Sequence, residues 1–133
     1  MAYWIKRKVG VIPITSRLQG VKDTTGLILR RGRRSLVNEY DVVHILSFAS
    51  GHETETCNYS LATIDFDQTS FQNSVRLMAK SSVLVGVHGA GLTNLIFTPP
   101  GAAVVELRLA HSRPDYLHLF RSFGKMYIEF TET

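Results

Sequence analysis

An apolar strand that empties into glycines constrains this chain more than any other feature. Val83-Leu84-Val85-Gly86-Val87 has no polar side chain, and His88-Gly89-Ala90-Gly91 follows it directly. A strand that is apolar at every position needs cover on both faces, which is the situation of parallel strands between helices. The stretch after Gly91 reads as a helix to about Phe97, stopped by Pro99-Pro100-Gly101, and Ala102 to Leu107 is a second apolar strand.

The same alternation extends to both sides. Leu27-Ile28-Leu29 reads as a short buried strand, and Ser35 or Asn38 caps a helix to about Leu46 with Val42, Val43 and Leu46 inward. Leu61 to Ile64 is a strand. Ser70 caps a helix over 71–79 with Phe71, Val75, Leu77 and Met78 inward. A helix from Tyr116 to Phe123 ends at Gly124, and Met126-Tyr127-Ile128 is a last strand. Strand and helix in strict succession predict an α/β fold: a doubly wound, mostly parallel, Rossmann-like sheet of four to five strands with right-handed crossovers.

With 133 residues, 44% of them hydrophobic, the chain suits one globular domain. No apolar run reaches the roughly 18 residues of a membrane span, and Lys6-Arg7-Lys8 is not followed by the apolar stretch of a signal peptide. The single cysteine, Cys57, excludes an internal disulfide and a multi-cysteine zinc site. Asn58-Tyr59-Ser60 is a glycosylation sequon, making Asn58 a candidate modification site. Charge is placed unevenly. Residues 1–34 hold nine Lys/Arg against Asp23 alone, whereas residues 35–133 hold six against ten acids. A basic opening that ends in Arg30-Arg31-Gly32-Arg33-Arg34 is either a solvated face or a site for an anionic partner. Residues 1–26 read as a basic helix and an irregular linker carrying Gly10, Pro13, Gly20 and Gly26, and residues 27–133 as the folded lobe.

Glycines between a buried strand and a helix let a ligand approach backbone N–H groups, and the helix start favours a phosphate. Gly89-x-Gly91-x-x-Asn94 departs from a dinucleotide fingerprint at its third position and follows two earlier strand–helix units, so nicotinamide or flavin binding is disfavoured. Asp65-Phe66-Asp67 has the form of a metal–diphosphate motif, but at a strand end ahead of a helix cap it reads as turn chemistry. No G-x-S-x-G elbow supports a nucleophilic serine.

Arg30, Arg34, Asn38 and Glu39 form an R-x-x-x-R-x-x-x-N-E pattern, and SFQNSVRLMAKSSVLVGVHGAGLTNLIFTPPGAAVVEL follows downstream. Together these resemble glycosyltransferase family 61, over about residues 27–130, with Ser74 departing from the glutamine more common there. The resemblance implies one lobe, the C-terminal donor-binding one, of a two-lobed GT-B enzyme. Such an enzyme performs inverting transfer from a nucleoside-diphosphate sugar, UDP-linked, to a hydroxyl of a protein or polysaccharide, with no required metal or other cofactor.

On this reading Arg30 and Arg34 hold the diphosphate, as guanidinium forks do, while Arg31 and Arg33 face solvent or an interface. Gly89, Ala90, Gly91 and Leu92 offer backbone N–H groups, and Thr93 or Asn94 a side-chain bond. His88 binds phosphate, supports the loop or serves as a weak candidate for the base. Glu106 takes ribose or sugar hydroxyls. The N-terminal lobe, as an upstream part of the chain or another subunit, is the expected partner. Any membrane attachment comes from an upstream anchor, and the full-length protein is expected in the lumen of the Golgi or endoplasmic reticulum. Two alternatives are a non-catalytic sugar-nucleotide sensor and a nucleic-acid-binding module built on the basic segment. The latter lacks the interleaved aromatics of single-strand binders.

Overall fold

The computed structural model of the chain describes residues 23–33, 35–50, 59–109 and 116–132. They form β1 (Asp23–Leu29), α1 (Glu39–Ser50), β2 (Tyr59–Asp65), α2 (Phe71–Lys80), β3 (Ser81–Val87), a 3-10 helix (Ala90–Phe97), β4 (Ala103–Leu109), α3 (Leu117–Ser122) and β5 (Met126–Glu132). The strands make one sheet in the order β2-β1-β3-β4-β5, with every pairing parallel. The chain steps from β1 outward to β2, then crosses back over β1 to β3 and continues in that direction. With right-handed crossovers, this reversal places α1 on one face and the later helices on the other. It also opens a crevice between the carboxyl ends of β1 and β3, where doubly wound sheets bind ligands. The expected α/β, Rossmann-like class is the one found.

Strands run longer than their apolar cores. β1 begins at Asp23, so its polar start Asp23-Thr24-Thr25-Gly26 belongs to the sheet rather than to a linker ending at residue 26. Two parallel neighbours recruit those residues, and the Thr24 and Ser60 hydroxyls meet across β1 and β2 at 3.1 Å. The supposed basic helix over 2–9, Arg34 and the Asn58 sequon residue lie outside the described residues.

The core lies between the sheet and the α2 side: Ile28, Ile64, Val75, Met78, Leu84, Leu92, Leu95, Phe97, Val104 and Phe120. α2 starts where expected, the Ser70 hydroxyl accepting from the Asn73 N–H at 3.4 Å. Val75 and Met78 are buried and Leu77 packs at the margin, but Phe71 is half exposed, its ring set edge-on to Phe97 at 5.9 Å. Gly86 lets the 3-10 helix close on the sheet, because a Cβ there would lie 2.9 Å from Leu92.

Ser74 is 1% exposed and its hydroxyl has no hydrogen-bond partner among the described residues. A buried hydroxyl left unpaired costs about 1–3 kcal/mol. Ser74→Ala also favours the helix, so it is expected to raise the melting temperature by a few degrees, about 1 kcal/mol in stability. An unchanged or lower value in a thermal melt would contradict that assignment.

Candidate functional site

A cleft of about 240 Å³ opens at the reversal point of the sheet. Three segments distant in sequence line it: Ile28 to Arg31 at the end of β1, Phe66 and Asp67 after β2, and Val87, Ala90 and Gly91 at the end of β3.

Arg30 and Gly89 form its centre. The Arg30 guanidinium lies against the glycine turn and donates from Nη1 to the His88 carbonyl at 3.0 Å. Its other donors have no partner among the described residues. Gly89 has φ +153, and a Cβ at that position would fall 1.8 Å from Arg30 Nη1. Only glycine satisfies both constraints.

The helix expected after Gly89 is a 3-10 helix and ends at Phe97. Its first bond runs from the Leu92 N–H to the Gly89 carbonyl at 3.0 Å. Side chains repeat the same three-residue spacing: Thr93 Oγ1 donates to the Ala90 carbonyl at 2.6 Å, Asn94 Nδ2 to Gly91 at 3.0 Å and Thr98 Oγ1 to Leu95 at 2.7 Å. Such side-chain support accounts for an unusually long 3-10 run. It also revises the expected ligand set. The Leu92 amide and the Thr93 and Asn94 donors are engaged inside the helix, whereas the amides of Ala90 and Gly91 precede its first bond and border the cleft.

Arg31 is no bystander. Its Nε donates to Asp65 Oδ2 at 3.0 Å and its Nη1 to Glu39 Oε2 at 3.1 Å, tying the β1 loop to β2 and to the start of α1. Burial pushes the Asp65 carboxyl up, but the Arg31 hydrogen bond and backbone amides of the following turn outweigh it and hold the group below the usual carboxylate range. Asp65 Oδ1 accepts from the Asp67 N–H at 3.0 Å, so this aspartate serves the turn and Arg31. Asp67, by contrast, is exposed at the cleft. Arg33 is exposed.

Glu106 departs most from expectation. It is fully buried, and both of its oxygens are engaged by protein groups. His88 Nδ1 lies 2.6 Å from Oε1, and the Tyr127 hydroxyl donates to Oε2 at 2.8 Å. With no exposed side-chain surface, neither oxygen is open to a ribose hydroxyl. The Tyr127 hydroxyl also lies 3.0 Å from Glu129 Oε2, and Arg108 Nη1 donates to Glu129 Oε1 at 2.6 Å. Burial, then the hydrogen bonds to Glu106 and Glu129, pushes the Tyr127 phenol above its usual range. Linear reading missed Tyr127 entirely; the parallel register Val104↔Tyr127 brings it beside Glu106.

The family model described as Glycosyltransferase 61 matches residues 3–105. The chain is 33% identical over 95 residues to the EGF domain-specific O-linked N-acetylglucosamine transferase of Pan troglodytes, covering 71% of this chain and 17% of that protein. It is 31% identical over 124 residues to the Protein O-linked-mannose beta-1,4-N-acetylglucosaminyltransferase 2 of Xenopus laevis, covering 93% of this chain and 20% of the relative. It therefore spans no more than about a fifth of the length of these two relatives. The family match runs through β1, the reversal-point cleft and the glycine turn into β4, and on that ground the chain belongs to glycosyltransferase family 61.

Proposed function

We propose that residues 23–132 belong to the donor-binding, C-terminal lobe of a GT-B glycosyltransferase, which moves a sugar with inversion from a nucleoside diphosphate to a hydroxyl. One observation carries this reading: the Arg30 guanidinium is held against the Gly89 turn, beside the amides of Ala90 and Gly91, in the crevice where a doubly wound sheet takes its ligand. A guanidinium and helix-start amides are complementary to a diphosphate and stabilise the charge that develops on the departing nucleotide. Arg34, four residues after Arg30, is assigned to the same anion.

Uridine is the proposed base, and N-acetylglucosamine, the sugar in both relatives' names, is the first to test. The acceptor hydroxyl, on a protein or polysaccharide, and the general base are assigned to the second lobe or another subunit. We place the full-length protein in the secretory pathway. No helix among the described residues is long and apolar enough to cross a membrane.

Metal is not required in this reading, because arginine supplies the positive charge and Asp65 is already paired with Arg31. Calorimetry with UDP and GDP, each with Mn and with EDTA, tests it. UDP is expected to bind with affinities within a few fold in the two media. Binding lost in EDTA would make Asp67 and a metal part of the site, and no binding of either nucleotide would overturn the donor reading.

A further inference from the structure

We propose that Glu106 is the positioning residue of His88. It holds the imidazole with its proton on Nδ1 and so leaves Nε2 as an acceptor for a hydroxyl of the bound nucleotide. The ligand part of this proposal rests on the donor-site reading above.

A buried carboxylate is an expensive way to fill space, and an apolar side chain of similar size usually serves stability as well or better. Glu106 is fully buried yet fully engaged. In the proposed arrangement the Glu106 oxygen accepts and Nδ1 donates across the 2.6 Å contact. That fixes the ring's proton, and Nε2 is the nitrogen left for a ligand. Nε2 has no partner among the described residues.

Everything else around His88 also restrains it. Its N–H donates to the Leu107 carbonyl at 2.8 Å, and its carbonyl accepts from Arg30. Tyr116 packs on the ring at 5.1 Å, Phe120 stacks on Tyr116 at 5.9 Å, and Tyr127 meets Phe120 at 5.0 Å. This aromatic row ends on the same tyrosine that donates to Glu106, itself steadied by Glu129 and Arg108. A ring fixed on all these sides, one residue before the glycine turn, is built to aim an atom.

The test is long-range 1H–15N NMR of the imidazole nitrogens in the full chain, with and without UDP, paired with UDP calorimetry and thermal melts. The unaltered chain is expected to show His88 protonated on Nδ1, with the Nε2 signal displaced by UDP. Glu106→Met removes the acceptor: mixed tautomers, about tenfold weaker UDP binding and a lower melting temperature, because Nδ1 loses its buried partner, are expected. Glu106→Gln keeps an acceptor oxygen toward Nδ1 and should restore both tautomer and affinity, and the tautomer is the readout that a packing role would not move. Protonation on Nε2 in the unaltered chain, or a Glu106→Met variant with unchanged tautomer and affinity, overturns the proposal. If UDP displaces Arg30 side-chain signals but not His88 Nε2, the ligand contact is refuted. No response at either residue refutes the donor reading instead, and the tautomer comparison still decides the role of Glu106.

Discussion

Replacing Gly89 with alanine is expected to abolish UDP binding, weakening it by more than about 100-fold, the combined scale of a lost charge-assisted contact and a distorted turn. Two effects act together. An alanine at φ +153 is strained by about 1–3 kcal/mol, and its Cβ would occupy the space of the Arg30 guanidinium, 1.8 Å from Nη1. Either the turn or the arginine must move, and both belong to the cleft. The melting temperature should fall by on the order of 5 °C or more. Gly91→Ala is the matched control. Its Cβ would meet Phe66 and Ile28 at 3.4 and 3.5 Å, ordinary contacts, so the fold should be retained. Near-normal UDP affinity in Gly89→Ala would refute the pairing of Arg30 with the glycine turn as the anion site.

Arg30→Ala carries the second large effect. Loss of a charged donor should weaken UDP binding by about 1.5–3 kcal/mol, or roughly 10–150-fold. Arg33→Ala, at an exposed position, should change it less than about twofold, because exposed charge is screened by salt. Arg31→Ala should fall between them. Its loss frees Asp65 and Glu39 and loosens the loop that carries Arg30, without removing a proposed phosphate contact. Lysine at position 30 should rescue only partly, since a point charge cannot replace a fork that grips the His88 carbonyl while offering other donors to a ligand. Equal losses for Arg30, Arg31 and Arg33 would indicate diffuse attraction by a basic surface, and the cleft would then not be the anion site.

The strand–helix order was legible in the chain because each segment repeats one simple pattern, as Val83 to Val87 and the Ser70-capped helix show. Boundaries were less so. Asp23 to Gly26 and Glu129 to Glu132 lack the apolar run that marks a buried strand; they extend β1 and β5 because a neighbouring parallel strand pairs with their backbones. The 3-10 geometry depends on Thr93, Asn94 and Thr98 bonding three residues back, which apolar periodicity does not register.

At the site, the Arg30 guanidinium lies against the glycine turn. Glu106 did not go where its position at a strand end suggested. What turned it inward is a pairing with His88, 18 residues earlier, and Tyr127, 21 residues later. Only sheet register brings those three together. Residues 85–87 pair with 105–107, and 103–106 with 126–129, so a register argument from the parallel strands would have found the cluster.

The hydrogen bond from Arg30 to the His88 carbonyl has an entropic consequence. A free arginine side chain gives up about 2 kcal/mol of rotamer freedom when a ligand immobilises it. Arg30, pinned by the backbone of the loop beside which it works, has surrendered much of that freedom during folding. The ordering cost is therefore charged against the stability of the lobe, not against each binding event. Affinity in this cleft is set as much by how firmly the free protein holds its arginine as by the bonds formed once the anion arrives.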